Sequence, residues 1–452
     1  MRIIIVGAGT IGENLAKTLT EEAHEVYLIE SNEQRAEKVG EKLDVKVIVG
    51  HGADPDALKR AVIFQADLVI AVTDSDETNM VVSSLAAAYG AKRRIARVRS
   101  LSLNKALEEF GYQKFNIDEI INPEDVAAQA IVKAIEAPGA CEVADFANGK
   151  ILLRAFDIPK TSPLCGLKIQ EIRNEDFPWP MLVVAIVREG VVFIPKGDAD
   201  IQALDMLYVL LPAPSLGEFL TFVDPNIRKP KKVIIYGAHN IGEKVAFVLS
   251  QDIRDIVLVE EDEKTAEKVA GRIGSVRIIH GSACEADILK ECGIETADVF
   301  IATSENDHSN LVSAVLAKKM GAKATIITTQ HPDYMAIIDA LDIDVIINPR
   351  FLAADQIRRL VRGKGISAVT KLMEGNAEAM ELIPEEGSAV TKVPLKEIHF
   401  PKNSIVGAIY RGEEVILADG NTQIQAGEKV IVFCQEDAVK KLHDLFTRKK
   451  FL

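Results

Sequence analysis

The sequence predicts an α/β chain in which two parallel-sheet domains are each followed by a small α+β domain, an internal duplication. Three observations carry this. The opening MRIIIVGAGTIGENLAKTL returns as KKVIIYGAHNIGEKVAFVL from Lys231, which sets Gly7 and Gly237 230 residues apart, and Glu30 and Glu260 likewise. Strand-length apolar runs alternate with helical patterns in residues 1–122, and again after residue 231. Each such stretch gives way to short strands with turns rich in Gly, Pro and Asp. A glycine-rich turn between the first strand and the first helix makes the two large domains Rossmann-like.

Ile3–Val6, Val26–Ile29, Val45–Val49, Leu68–Val72 and Ile95–Val98 read as strands, because each is a short apolar run between helical patterns. Unbroken apolar strands between helices imply a parallel sheet covered on both faces. Ile11, Leu15 and Leu19, with Ala16 beside them, place one apolar stripe on the first helix. Glu119–Ile121 reads as a last strand before Asn122-Pro123. The helix EDVAAQAIVKAIEA is expected to stop at Pro138-Gly139. In residues 140–211, MLVVAIV and GVVFI read as alternating strands of a small α+β module. The stretch 212–230 carries four prolines and reads as a linker with one helical turn.

The plan then recurs at an offset of 231 residues: Gly50 and Gly281, Ala66-Asp67 and Ala297-Asp298, Asn79 and Asn310, Gly90 and Gly321. Asn122-Pro123 recurs as Asn348-Pro349, and the segment around Gly197 recurs around Gly420. The expected domains are 1–139, 140–225, 231–364 and 365–452.

A chain of 452 residues exceeds the roughly 100–200 of a single domain. Its net charge of −14 argues against nucleic acid as the main ligand and suits a soluble protein. Five cysteines (Cys141, Cys165, Cys284, Cys292, Cys434) have no CxxC spacing, which points to reduced thiols in a cytoplasmic setting. The N-terminus begins a strand without a signal-peptide pattern. No apolar run approaches the roughly 20 residues of a membrane-spanning helix, so a membrane role is expected to pass through a partner.

Gly7-Ala8-Gly9-Thr10-Ile11-Gly12 follows a strand and opens a helix. Gly7 permits the turn, Gly9 lets backbone N–H groups approach a pyrophosphate, and Gly12 lets helix and strand pack closely. The helix N-terminus adds partial positive charge. Glu30, at the end of the second strand, is placed to accept from ribose hydroxyls and would repel a 2′-phosphate. This fingerprint recognises an adenosine diphosphate group, which NAD, NADH, ATP and ADP all contain. Thr73 and Asp74 lie beside the expected ligand crevice. Arg97 and Arg99 alternate on the fifth strand and share a face; both neutralising a phosphate and solvated strand-end readings stay open.

In the second cradle, Gly237-Ala238-His239-Asn240-Ile241-Gly242, His239 stands where the close-approach glycine belongs. Its side chain would crowd a pyrophosphate. Ser304 replaces Thr73, while Thr328 and Gln330 replace Arg97 and Arg99. Glu260 remains. Weaker binding, altered binding or none is expected here.

A dehydrogenase needs an acid or base at its substrate. No Lys follows Tyr89, Tyr112 or Tyr334 at four positions, and His51 and His280 sit beside third-strand glycines. No Walker lysine follows either cradle. Asp74, Asp76 and Glu77 read as helix-capping acids rather than a cation site. The chain therefore reads as a regulator, the alternatives being an NAD-dependent oxidoreductase or a regulator of a different cation transporter.

MRIIIVGAGTIG, GHGADPDAL, AVTDSDETNM, IARVRS and NIGEKVA together carry a resemblance. Across essentially the whole chain the sequence resembles the TrkA family, cytoplasmic regulatory subunits of Trk potassium uptake systems. Each half is similar to an RCK (KTN) N-domain plus a TrkA-C domain. In the second half HGSACEADIL departs from the pattern, with Glu285 in place of Asp54. The resemblance implies a homotetrameric ring beneath a TrkH-type potassium-translocating membrane subunit, gated by nucleotide. It implies ligand contacts at Gly7 to Gly12, Glu30, Thr73, Asp74 and Arg97, and at Gly237 to Ile241, Glu260, Ser304 and Gln330 in the second half.

Overall fold

The computed structural model describes residues 1–137, 140–172, 179–224, 229–331, 334, 341–361, 366–371, 377–435 and 438–448. Contacts divide it into two compact units, one of Met1–Val132 with Pro230–Val361, the other of Lys133–Lys229 with Arg362–Leu452. Like is gathered with like: both parallel sheets fall in the first unit and both antiparallel sheets in the second.

The first half runs β1 (Arg2–Val6), α1 (Thr10–Glu21), β2 (Glu25–Glu30), α2 (Glu33–Lys42), β3 (Lys46–Val49) and α3 (Pro55–Arg60). It continues with β4 (Leu68–Ala71), α4 (Asp76–Ala88), β5 (Arg93–Arg97), α5 (Leu101–Phe110), β6 (Glu119–Ile121) and α6 (Pro123–Glu136). Its small module holds β7 (Ala140–Phe146), β8 (Ile151–Asp157), α7 (Ile169–Ile172), β9 (Leu182–Arg188), β10 (Val191–Phe193), β11 (Met206–Pro212) and α8 (Leu216–Val223).

The second half repeats this as β12 (Lys232–Tyr236), α9 (Asn240–Leu249), β13 (Asp255–Glu260), α10 (Glu263–Ala270), β14 (Arg277–His280) and α11 (Ala286–Glu291). Then come β15 (Val299–Ala302), α12 (Asp307–Lys319), β16 (Ala324–Thr328), β17 (Val345–Ile347) and α13 (Pro349–Val361). Last are β18 (Ile366–Lys371), β19 (Ala377–Leu382), β20 (Ser404–Arg411), β21 (Glu414–Leu417), β22 (Lys429–Gln435) and α14 (Val439–Phe446).

The parallel sheets have the orders β3-β2-β1-β4-β5-β6 and β14-β13-β12-β15-β16-β17. β1 shows why its residues make a central strand. Ile3 and Ile5 enter the core that holds α1, whereas Ile4 and Val6 enter the opposite core under α3 and α4. Period-two alternation of two apolar sets is what a sheet covered on both faces requires. The strand order reverses between β1 and β4, and ligand crevices open at such switch points.

The helix that completes the first half's core comes from the second half. Ala353, Ala354, Ile357 and Val361 of α13 complete the first half's core against Ile11, Leu15 and Leu19 of α1. Asp125 of α6 pairs with Lys244 of α9 at 2.5 Å. The apolar stripe read on α1 is therefore buried, but by a helix from the other half.

In the second unit the sheets are β10-β9-β11-β8-β7 and β18-β19-β22-β20-β21. Val184, Tyr208 and Leu210 share one core with Ala379, Ala408, Ile431 and Phe433. Gly407 permits the close approach, since a β-carbon there would stand 2.2 Å from Leu210 Cδ1. The linker expected at 212–230 is corrected. β11 reaches Pro212, and the two-turn α8 buries Phe219, Leu220 and Val223, with Phe219 edge-on to Phe156 at 5.8 Å. Its apolar residues, not its prolines, decide the structure. The expected stop at Pro138-Gly139 lies outside the described residues. Among the described residues no helix is long and apolar enough to cross a membrane.

Candidate nucleotide site

β1 ends at Val6 and the chain turns at Gly7, whose φ of +103° favours glycine. A β-carbon on Gly12 would sit 1.9 Å from the Gly7 carbonyl oxygen, so only glycine lets α1 start this close to the strand. A β-carbon on Gly9 would meet nothing within 4 Å. Gly9 caps α1 without a side-chain hydrogen bond, which leaves first-turn N–H groups for a ligand.

Glu30 is buried, and its carboxylate holds the cradle together. Oε2 accepts from Ala8 N and Oε1 from Asn32 N, both at 2.8 Å. Arg35 lies 3.7 Å away. Thr73 and Asp74 follow β4 across the crevice. Fully buried Asn79 receives Thr73 N at 2.9 Å and Thr73 Oγ1 at 2.7 Å, and donates to the Thr73 and Arg97 carbonyls. One amide side chain thus ties together the ends of β4 and β5.

Arg97 is buried and donates to Asp74 Oδ1 at 3.1 Å. Burial and then the Arg99 charge push its pKa down, while the Asp74 hydrogen bond pulls it back. Arg97 Nε is buried without a hydrogen-bond partner among the described residues, a donor left over beside the crevice. The shared face expected for Arg97 and Arg99 is corrected. β5 stops at Arg97, and the Arg99 guanidinium reaches the Asp74 carbonyl at 2.8 Å, outside the cavity lining. The strand stops because Asp76 captures the N–H groups of Arg99 and Ser100 at 2.8–3.0 Å. The capping of α4 itself falls to Ser75, which accepts from Thr78 N. Among the described residues no His, Cys, Asp and Glu cluster suits a metal.

A 540 Å³ cavity gathers Gly7, Ala8, Gly9, Thr10, Ile11, Glu30, Thr73, Asp74 and Arg97. Of the expected first-site residues, Gly12 acts from behind as the packing glycine. Sequence reasoning missed Ser31, Arg35, Thr78 and Arg350 as lining residues and set His51 aside. Ser31 and Arg35 follow Glu30 closely enough for the strand-end position to signal them. Arg350 comes from the other half, so no local signal could place it here.

The second cradle has the same backbone. Gly237 has φ +92°, and a β-carbon on Gly242 would stand 1.9 Å from the Gly237 oxygen. Glu260 accepts from Ala238 N at 2.6 Å and from Asp262 N at 2.9 Å. Ser304, Asn310 and Thr328 repeat the amide tie. His239, half-buried, fills the cap position with φ −76°, so the chain accepts a side chain where Gly9 leaves open space. Asn240 and Ile241 open α9. Gln330 instead accepts from Arg350 Nη2 at 2.5 Å, and Arg350 Nη1 reaches Thr10 Oγ1 of the first cradle at 2.9 Å. Gln330 is thereby a support for an arginine of the first site.

Two parallel-sheet domains with Rossmann cradles and two small antiparallel modules define a duplicated protein of the Rossmann-like class. The TrkA-N domain matches residues 3–123 and 233–349, and the TrkA-C domain matches 153–223 and 379–447. The chain belongs to the TrkA family, regulatory proteins of potassium transport and not enzymes. It is 32% identical over 441 residues to the Trk system potassium uptake protein TrkA of Vibrio alginolyticus, covering 96% of this chain and 95% of that protein. It is 31% identical over 450 residues to the TrkA homolog of Archaeoglobus fulgidus, covering 99% and 100%. Among solved structures it is similar in fold to the GsuK channel bound to NAD, with a TM-score of 0.63 and 16% identity over 98% of this chain and 78% of that one. The isolated GsuK RCK domain is similar at a TM-score of 0.61.

Proposed function

We propose that the chain is the nucleotide-binding regulatory subunit of a potassium uptake system, and that a homotetrameric ring of it gates a TrkH-type membrane channel. The observation that carries the reading is the switch-point cavity, in which a free helix N-terminus, the Glu30 carboxylate and the Arg97 guanidinium converge. The open space beside Gly9 and the leftover Arg97 Nε suit a dinucleotide or adenine nucleotide: NAD, NADH, ATP or ADP. Such a ligand supplies the negative charge and ribose hydroxyls that these groups recognise. Glu30 orders the cradle through Ala8 and offers its remaining lone pairs to ribose, which disfavours a 2′-phosphate. The proposed domains are 1–139, 140–225, 231–364 and 365–452, the first acting as sensor and the third as a partner with a weaker or altered site.

Gating is a population shift: a nucleotide moves the ring only by its differential affinity for two ring shapes. Related exposed positions support assembly through the N-domains. Val81 on α4 and Val312 on α12 are 46% and 55% exposed. Titrating ATP, ADP, NAD and NADH into the purified protein, with its mass in solution and co-purification of the membrane subunit, tests the reading. Absence of nucleotide binding, or a monomer at all concentrations, sinks it.

A further inference from the structure

We propose that Arg350, carried by the second half of the chain, is a phosphate-contacting residue of the first cradle. A nucleotide with two or more phosphates would then engage both Rossmann domains at once. This rests on the nucleotide reading above and adds the residue that couples occupancy to the contact between the halves.

Arg350 is the second residue of α13, the helix whose Ala353, Ala354 and Ile357 pack into the α1 core. That packing sets the guanidinium at the cavity wall. Nη1 donates to Thr10 Oγ1 at 2.9 Å, at the first residue of α1, where the anion cradle opens. Nη2 donates to Gln330 Oε1 at 2.5 Å, which holds the fork in place. Both acceptors are neutral, and Arg350 has no carboxylate partner among the described residues. The other two lining arginines differ in this: Arg97 has Asp74 at 3.1 Å, and Arg35 has Glu30 at 3.7 Å. A guanidinium with its charge uncompensated, fixed beside free helix N–H groups, matches a phosphate in charge and in forked geometry.

The duplication shows that this device exists once. Asn122-Pro123-Glu124 matches Asn348-Pro349-Arg350, so the equivalent position on α6 is a carboxyl group. Glu124 lies near the charges of Arg97 and Arg99, and its Oε2 is buried without a hydrogen-bond partner among the described residues. Among the described residues, Arg350 is a cation that the first cradle receives from the other half, and its counterpart Glu124 is not a cation.

The test is calorimetric titration of ATP, ADP and AMP into the full chain, into Arg350→Gln and into Arg350→Lys. Arg350→Gln should weaken ATP and ADP by about tenfold or more, the scale of a lost charged hydrogen bond. It should weaken AMP by less than about threefold, and Arg350→Lys should recover part of the loss. The melting temperature of the ligand-free variants should match that of the parent. If the parent binds and Arg350→Gln binds ATP and ADP as tightly, the role of Arg350 is refuted while the nucleotide reading stands. An equal loss for AMP, or a lowered melting temperature without ligand, would mark Arg350 as structural and refute it too. If the parent binds no nucleotide, the functional reading itself falls.

Discussion

Two glycines three positions apart do different work, and substitution should separate them. A β-carbon on Gly12 collides with the Gly7 carbonyl at 1.9 Å, whereas one on Gly9 meets nothing within 4 Å. Gly12→Ala should therefore destabilise by more than about 3 kcal/mol, since backbone has to move to relieve the overlap. Gly9→Ala should fold at least as stably, gaining up to about 1 kcal/mol by restricting the unfolded chain, yet lose nucleotide affinity. Urea denaturation beside calorimetry checks both, and a Gly9→Ala variant that binds normally would contradict the role given to Gly9. Glu124 offers a pH test. Burial raises its pKa above the usual carboxylate value, against the pull of Arg97 and Arg99. The folded state then binds this proton more readily than the unfolded one, so Glu124 adds stability as pH falls from neutral through the raised pKa. Glu124→Gln should raise stability at pH 7, and the gain should shrink at lower pH. Denaturation curves at pH 7 and pH 5 measure it. Most of the cradle was legible, because glycine spacing and an acid at the end of the second strand are local patterns. The Arg99 placement was not, because it depends on Asp76 capturing two N–H groups across a loop.

At the scale of elements, α13 of the second half, packed into the first half's core, makes the halves interdependent. Ile357 is fully buried in a core that α13 completes against first-half residues such as Ile11, Leu15 and Leu19. Ile357→Ala should cost about 2–5 kcal/mol and lower the melting transition of the whole first unit in calorimetry. A fragment ending at residue 229 would expose the stripe of Ile11, Leu15 and Leu19. It should self-associate or precipitate, as light scattering would show, and a well-behaved monomeric fragment would argue against this packing. Strand positions were legible within a residue or two, since unbroken apolar runs mark buried parallel strands. α8 was misread because prolines at its flanks suggested a linker, while Phe219, Leu220 and Val223 form an apolar face that only the sheet beneath reveals.

For the whole molecule, ligand binding to the folded state alone should stabilise it by RT ln(1 + [L]/Kd), about 2.7 kcal/mol at a hundredfold excess over Kd. ATP and ADP should raise the melting temperature with about one strong equivalent per chain, set by the first cradle. Gly9→Ala should abolish that shift, and His239→Gly should leave it unchanged. Two equal equivalents in the parent would contradict the asymmetry of the halves.

The sequence by itself determined the α/β class, the duplication, the two glycine-rich turns, the acids Glu30 and Glu260 at the second-strand ends and the divergence at His239. Each of these is written in spacing along one strand–turn–helix segment. Only the tertiary structure decided that α13 covers α1, that Arg350 enters the first cavity and that Gln330 supports it. An amphipathic helix records that it must be buried but not where. Its apolar face fits either half, and the choice is made by the surfaces that remain open when both sheets have formed.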